Sequence, residues 1–436
     1  MGFMMKNIIL YGITDDTENL YWAMKPCYNI LGLSDKNIKK GRMVAERVNT
    51  VYIEPENIKS MSYHYICITS KSAYGSIHHD LVYKYNIERE KIFCYDDFYR
   101  EIALSLGDLN PQKTIYVIRW PYCHSGIGAI LMSACGNLLD IPDHYEVYFD
   151  FINYRNVYME DILPGKINTF EMWFEQPSGL CSDEVYSSKN VILSPVLDWS
   201  YGGLDVDKII KNTGNMVLLK SYAQIFQKYI HPNKKFNSLL EEERKKLFCS
   251  RGKVCGVIFR GTDYLLAKAY MHDIQPNIDM LIHKVKQLQK EWNFQKIYLS
   301  TEDAAGQKRF IEEFGEMIIF SERELIDNYP VLPADSAITN VRFERENDGY
   351  LKGIEYLRQL YMLSECDYII SGWNSSFRMA LLLSGGFEKY YAFNLGKYGV
   401  DDDSYATPWG HYILLEEEKK KEKMRKIAQS GIGEKI

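Results

Sequence analysis

Residues 255–265 read CGVIFRGTDYL. An apolar run from Cys255 to Phe259 breaks off into Arg260, Gly261, Thr262 and Asp263: a cation, a flexible residue, a hydroxyl and a carboxylate in succession. A short apolar run bounded by turn residues is the pattern of a strand buried on both faces of a parallel sheet. In open parallel sheets the ligand sits outside the carboxyl ends of the strands. The polar residues that close this run therefore stand where a ligand site is expected.

The surrounding sequence repeats the arrangement. VCGVIF (254–259), KIYLST (296–301), MIIFS (317–321), DYIISG (367–372) and YYAFN (390–394) alternate with helical patterns such as IDMLIHKVKQLQKEW (278–292) and GIEYLRQLYMLSEC (353–366). That alternation predicts a doubly wound α/β sheet over residues 251–436. Its strand ends supply RGTD, then Thr301-Glu302-Asp303, then Gly372-Trp373-Asn374-Ser375-Ser376. A nucleotide diphosphate suits such a set. Arg260 offers a planar fork for phosphoryl oxygens, and Gly261 permits close approach. Ser375 and Ser376 open a helix whose free N–H groups and positive dipole end attract anions. Thr262, Thr301 and Asn374 add polar contacts, while Glu302 or Asp303 accepts hydrogen bonds from a base or ribose. For Glu302, Asp303 and Ser375, simple N-capping is the competing role, and for Arg260 and Asp263 a local ion pair.

Two further blocks precede this one. Residues 108–250 begin with TIYVIRW (114–120), turn through PYCHSGIGA (121–129), and continue with a helical AILMSACGNLLD (129–140) and the strands EVYFDF and VILSP. Residues 1–107 carry KNIILYGI (6–13), a second strand near VNTVYI (48–53), YHYICITS (63–70) and EKIFCYDDF (90–98). This front block resembles the small Rossmann-like module at the head of many bacterial sugar-modifying proteins. Its first turn, YGITDDTENLYW, keeps only Gly12 where a dinucleotide site would show GxGxxG, and its two aspartates would repel a pyrophosphate. A scaffold or docking role is expected, and an NAD-dependent oxidoreductase is disfavoured.

Bulk properties narrow the class. With 436 residues the chain exceeds a single core. A formal charge of -6 opposes nonspecific nucleic-acid binding. The nine cysteines show neither CxxC pairs nor histidine partners at ligand spacing, so no metal site and no disulfide framework is expected, and reduced cytoplasmic thiols fit. No apolar run reaches the 18 or so residues of a membrane span, and the N-terminal MGFMMKNIILYGI reads as a strand rather than a leader. In the tail, Glu416, Glu417 and Glu422 precede Lys420, Lys421 and Lys426 by four residues, the spacing of a solvated helix.

The run GVIFRGTDY resembles the GVHxRRTD-type motif of the fucosyltransferases that make α-1,6, α-1,2 and protein O-linked bonds. IYLSTEDAAGQKRF is similar to their second motif, and LRQLYMLSECDYIISGWNSSFRMALLL to their third. HSGIGA, with His124, Gly126 and Gly128, is similar to the Gly-rich first turn of their acceptor-side domain. The resemblance covers residues 113–415. It implies an inverting, metal-independent glycosyltransferase of GT-B-like build: a pair of Rossmann-like domains, here preceded by the front module. It also implies a nucleotide diphosphate sugar donor such as GDP-fucose and no separate cofactor; a glycan or lipid-linked acceptor in surface polysaccharide synthesis, with peripheral association with membrane glycan machinery, is expected, and abundant Lys, Ile, Asn and Tyr point to a bacterial source. Arg260 would neutralise the donor's β-phosphate. The chain departs from the pattern at Ile258, where the guanine-reading histidine stands, and at Gly261, where a second arginine stands, so the nucleotide and sugar stay open.

Inversion requires a base for the acceptor hydroxyl. Asp263, Glu175 in WFEQP and His124 are the candidates. Trp173, Trp199 and Tyr201 are candidates to stack on acceptor sugars, although core packing is the commoner role of such residues. A non-catalytic nucleotide-sugar-binding or assembly protein is the alternative from another class.

Overall fold

A computed structural model describes residues 5–120, 126–139, 141–160, 162–196, 216–249, 252–262, 265, 268, 272–327 and 341–399. His124, Asp263, Trp199, Tyr201 and the charged tail lie outside them. The chain divides into two compact units, Met1–Cys123 with Ile141–Leu197, and His124–Asp140 with Asp198–Ile436.

The first unit holds two sheets. In the front one, β1 (Asn7–Tyr11), β2 (Asn29–Ser34), β3 (Tyr65–Ile68) and β4 (Ile92–Cys94) run parallel in the order β2-β1-β3-β4. Between them come α1 (Thr17–Met24), α2 (Ile38–Arg47) and α3 (Tyr74–His79), the last running into a π-helical turn at Asp80–Lys84, and α4 (Tyr95–Phe98) follows β4. The second strand is thus NILGLS, not VNTVYI as the pattern suggested. VNTVYI contributes only the bridge of Tyr52 to Leu33. Gly32 explains why: a Cβ there would lie 2.6 Å from the carbonyl oxygen of Val51, so the strand-like segment packs across β2 where only glycine fits.

The second sheet has the order β5-β9-β6-β7, from β5 (Ile102–Leu104), β6 (Ile115–Arg119), β7 (Glu146–Asp150) and β9 (Val191–Leu193). All pairings are parallel except that of the edge strand β5 with β9. The two-residue strand β8 (Phe174–Glu175) and the short helix α6 (Ser182–Val185) precede β9, while α5 (Ile127–Leu138), next after β6 in the chain, belongs by its contacts to the other unit. Arg119 ends β6 fully buried. Its guanidinium donates to the carbonyls of Ser194 (2.6 Å), Phe98 (2.9 Å) and Arg100 (2.8 Å), tying the chain leaving the front module to this sheet. Beside it on β7, buried Asp150 accepts from the Tyr186 hydroxyl and from the backbone and side chain of Asn153. Desolvation raises its pKa, and those hydrogen bonds oppose the rise.

The second unit contains α5, α7 (Met216–Tyr229), the two-residue strand β10 (His231–Pro232), α8 (Lys234–Phe248) and a parallel sheet of order β13-β12-β11-β14-β15. Its strands are β11 (Val254–Phe259), β12 (Lys296–Thr301), β13 (Ile318–Ile319), β14 (Tyr368–Gly372) and β15 (Lys389–Phe393). They alternate with α9 (Ile278–Trp292), α10 (Ala304–Phe314), α11 (Asp348–Ser364) and α12 (Ser375–Ser384), which is the doubly wound α/β architecture expected. Every residue of β11 is buried. Val257, Leu299 and Ile370 pack with Leu281, Val285 and Phe310 of α9 and α10, each such side chain contributing about 1.5–3 kcal/mol. Among the described residues no helix is long and apolar enough to cross a membrane.

Candidate functional site

Because β11, β12 and β14 are neighbouring parallel strands, their carboxyl ends share one rim. Arg260 leaves β11 there with 11% of its side chain exposed, and its Nε lies 3.1 Å from Oε1 of Glu302, which follows β12. Thr262, itself buried, donates its hydroxyl to the same oxygen at 2.6 Å. Glu302 is 3% exposed. Its Oε1 is thus engaged by Arg260 and Thr262, which gives Glu302 a supporting role at this rim.

Thr301 is buried and accepts from the backbone N–H of Asp303 at 3.1 Å. Asp303 is the N-cap of α10, accepting from the N–H of Gly306 at 2.8 Å. Its second oxygen, Oδ2, comes so close to Gly261 that any Cβ on Gly261 would collide with it. Glycine at position 261 is therefore a condition for this cap.

Two residues beyond β14, the side chain of Asn374 is wholly internal. Its Oδ1 caps α12 by accepting from the N–H of Phe377 (2.9 Å), and its amide donates to Gln275, Ser371 and the Gly372 carbonyl. It shapes the helix start rather than facing outward. Ser375, half-buried, is the first residue of α12, and Ser376 donates to the Tyr356 hydroxyl at 3.3 Å. Tyr356, on α11, also faces α5: a Cβ on Gly128 would lie 2.6 Å from its hydroxyl oxygen. Gly126 is the N-cap of that helix, in extended conformation and with no side-chain cap. The starts of α5 and α12 thus meet at one tyrosine hydroxyl.

Of the other expected residues, Glu175 is exposed on β8, in the first unit. Trp173 is fully buried with its ring edge-on to Tyr158 at 5.2 Å, so it is core and offers no face to a sugar. The sequence reading missed Arg323, Tyr356 and Gln359. Arg323 follows β13, and its guanidinium donates to Oε1 of buried Gln359 at 3.0 Å, an oxygen that also accepts from Ser300 of β12. Burial lowers the Arg323 pKa, Glu302 and Glu355 oppose this, and Arg260 adds to it. The strand-end rule applied to MIIFS would have named Arg323. Tyr356 and Gln359 sit inside a helix and carry no local signal. Among the described residues no group of three or more His, Cys, Asp or Glu is arranged to hold a metal ion.

Residues 4–93 match the family model described as C2185-like, N-terminal. No curated protein matches the chain significantly. Among solved structures, the chain is similar to the fucosyltransferase NodZ from Bradyrhizobium at 13% identity, with 62% of this chain and 93% of that one covered and a TM-score of 0.37. It is similar also to the NodZ α-1,6-fucosyltransferase soaked with GDP-fucose (13%, 66% and 97%, TM-score 0.38) and to a FUT1 variant from Arabidopsis thaliana in complex with GDP (11%, 64% and 70%, TM-score 0.36). These are fucosyltransferases, the family the three strand-end motifs resemble. Likeness at this level fixes no side chain, and the chemistry has to come from the residues themselves.

Proposed function

We propose that the protein is a glycosyltransferase of the fucosyltransferase-like type, moving a sugar from a nucleotide diphosphate donor to a glycan or lipid-linked acceptor with inversion. The observation that carries this reading is Arg260: a guanidinium ion-paired with a buried carboxylate, 3.1 Å from Nε to oxygen, on the sheet rim where α12 begins. The planar guanidinium matches a diphosphate's oxygens in a way a compact ammonium does not. The start of α12, with Ser375 at its first position, adds backbone donors on the same rim.

In the reaction the acceptor oxygen bonds to the anomeric carbon as the bond from that carbon to the diphosphate oxygen breaks. The electron pair leaves with the diphosphate, where Arg260 offsets the developing charge, and the acceptor proton passes to a base drawn from Asp263, Glu175 and His124. Positive charge supplied by a side chain makes a metal dispensable for this step. Surface-polysaccharide synthesis in a bacterial cytoplasm, with peripheral attachment to membrane glycan machinery, is the setting we propose, from the resemblance and the composition.

The test is a transfer and donor-hydrolysis assay across GDP-, UDP-, dTDP- and CMP-sugars, with and without EDTA. Release of nucleotide from one donor, unchanged by EDTA, is expected. Tight donor binding with no turnover under any acceptor would favour a non-catalytic binding protein, and a loss of rate restored by manganese would remove the metal-free step.

A further inference from the structure

Arg323 has a role still to be assigned. Among the described residues no carboxylate lies within ion-pair distance of it, although it is half-buried. The two carboxylates whose fields reach it are each engaged by another arginine. Glu302 holds Arg260. Glu355 is gripped by Arg345 through both terminal nitrogens, at 2.5 and 3.1 Å, and Arg345 is itself fixed by Asp348 at 2.8 Å. Asp303 is turned to its capping role on α10. What holds Arg323 in place is neutral: the Gln359 amide oxygen, and the Glu324 carbonyl at 3.3 Å from its Nε. A cation drawn partly out of water without a counter-ion is costly unless an anion completes it.

Its position says where that anion would be. Gln359 ties Arg323 to Ser300, two residues before Glu302 on β12, and the charges that act on it include Arg260 and Tyr356. Tyr356 is in turn hydrogen-bonded by Ser376 at the start of α12. Arg323 is therefore tied through Gln359 to β12, the strand that leads to Glu302, and lies within electrostatic reach of Arg260 and Tyr356. Two arginines feel each other's charge with no carboxylate among the described residues to spare for the second, which raises the free energy of the empty site and rewards a ligand carrying more than one negative charge.

We propose that Arg323, delivered from the end of β13, is a second cationic contact for the diphosphate, acting with Arg260. This rests on the donor reading above and adds to it a binding residue from a strand end that the motif comparison does not cover. It also accounts for a single arginine in the RGTD turn: the place of a second is closed by Asp303 against Gly261, and the charge arrives from another strand.

The test is to titrate GDP, UDP and dTDP and their monophosphates into the full chain and into Arg323→Ala and Arg323→Lys, following binding by calorimetry at two salt concentrations. Loss of one charge-assisted contact corresponds to about tenfold or more in affinity. Arg323→Ala is expected to weaken the diphosphate at least that far, with a smaller effect on the monophosphate and a shallower salt dependence, and Arg323→Lys to recover part of it. Should Arg323→Ala fold poorly, the lysine variant decides: diphosphate affinity equal to the parent's under both salts would overturn the inference. Equal losses for mono- and diphosphate in either variant would also overturn it, since a merely structural tie to Gln359 predicts that. If the unmodified chain binds none of the three diphosphates, the donor reading itself falls and takes this inference with it.

Discussion

Oε1 of Glu302 is shared: Nε of Arg260 approaches it at 3.1 Å while the Thr262 hydroxyl donates to it at 2.6 Å. Arg260→Ala removes one of the two groups that engage this oxygen. With Glu302 only 3% exposed, that variant strands a buried carboxylate, a change that costs about 3 kcal/mol. Arg260→Ala is expected to lose transfer by about a hundredfold or more and to lower the urea midpoint. The double variant Arg260→Ala/Glu302→Gln regains most of the stability and none of the activity. Additive stability losses in the cycle would show that the two side chains do not act as a pair.

Thr262→Val removes the donor that fixes Glu302 and leaves the volume nearly unchanged. A stability loss of about 1 kcal/mol is expected, with weaker binding of a nucleoside diphosphate because Arg260 loses its anchored partner. Unchanged affinity in a calorimetric titration would deny Glu302 its positioning role.

At position 261 the constraint is steric. Gly261→Ala drives a methyl group into the Asp303 carboxylate, uncaps α10 or displaces the RGTD turn, and should cost about 1–3 kcal/mol. Gly261→Arg should cost at least as much and should fail to strengthen diphosphate binding. A thermal melt of Gly261→Ala indistinguishable from the parent's would remove the argument for glycine.

Burial pushes the Cys27 thiol up to about 12 from its ordinary 9.0, with Arg119 opposing and Asp150 adding to the rise. The folded value is raised, so its share of stability is complete below pH 9 and is lost as pH climbs toward 12, because the unfolded chain releases the proton first. The parent should therefore lose more stability than Cys27→Ala between pH 8 and pH 10, read from urea midpoints. Exposed Cys181 and Cys249 should alkylate first in the native protein.

The third block was legible almost element by element because its strands are buried on both faces. The uninterrupted apolar runs around Val257, Leu299 and Ile370 have no other reading, and α9 coincides with the IDMLIHKVKQLQKEW pattern. In the front block the strand at Asn29–Ser34 was hidden by Asn29 and Gly32, poor strand formers placed there by packing against Val51. At the site, residue types were readable but allegiances were not. Glu302 and Asn374 looked outward-facing by position on the chain, yet Oε1 of Glu302 is engaged by Arg260 and Thr262, and Asn374 caps α12. Such commitments arise between strands distant in sequence, and no local pattern encodes them. Tyr356 and Gln359 were invisible for the same reason: inside a helix, only its tertiary neighbours single them out.

The three carbonyls around the Arg119 guanidinium also bear on how this chain can have been assembled. Two of them, on Phe98 and Arg100, are supplied just after the residues matched to the C2185-like family. A cassette swapped in or cut away at residue 100 would remove both and leave a charged side chain in the interior with a single acceptor. Any exchange of the front segment between proteins would have to carry the junction with it, and a truncated chain beginning after Arg100 should be recovered insoluble unless Arg119 is replaced by an apolar residue of similar length.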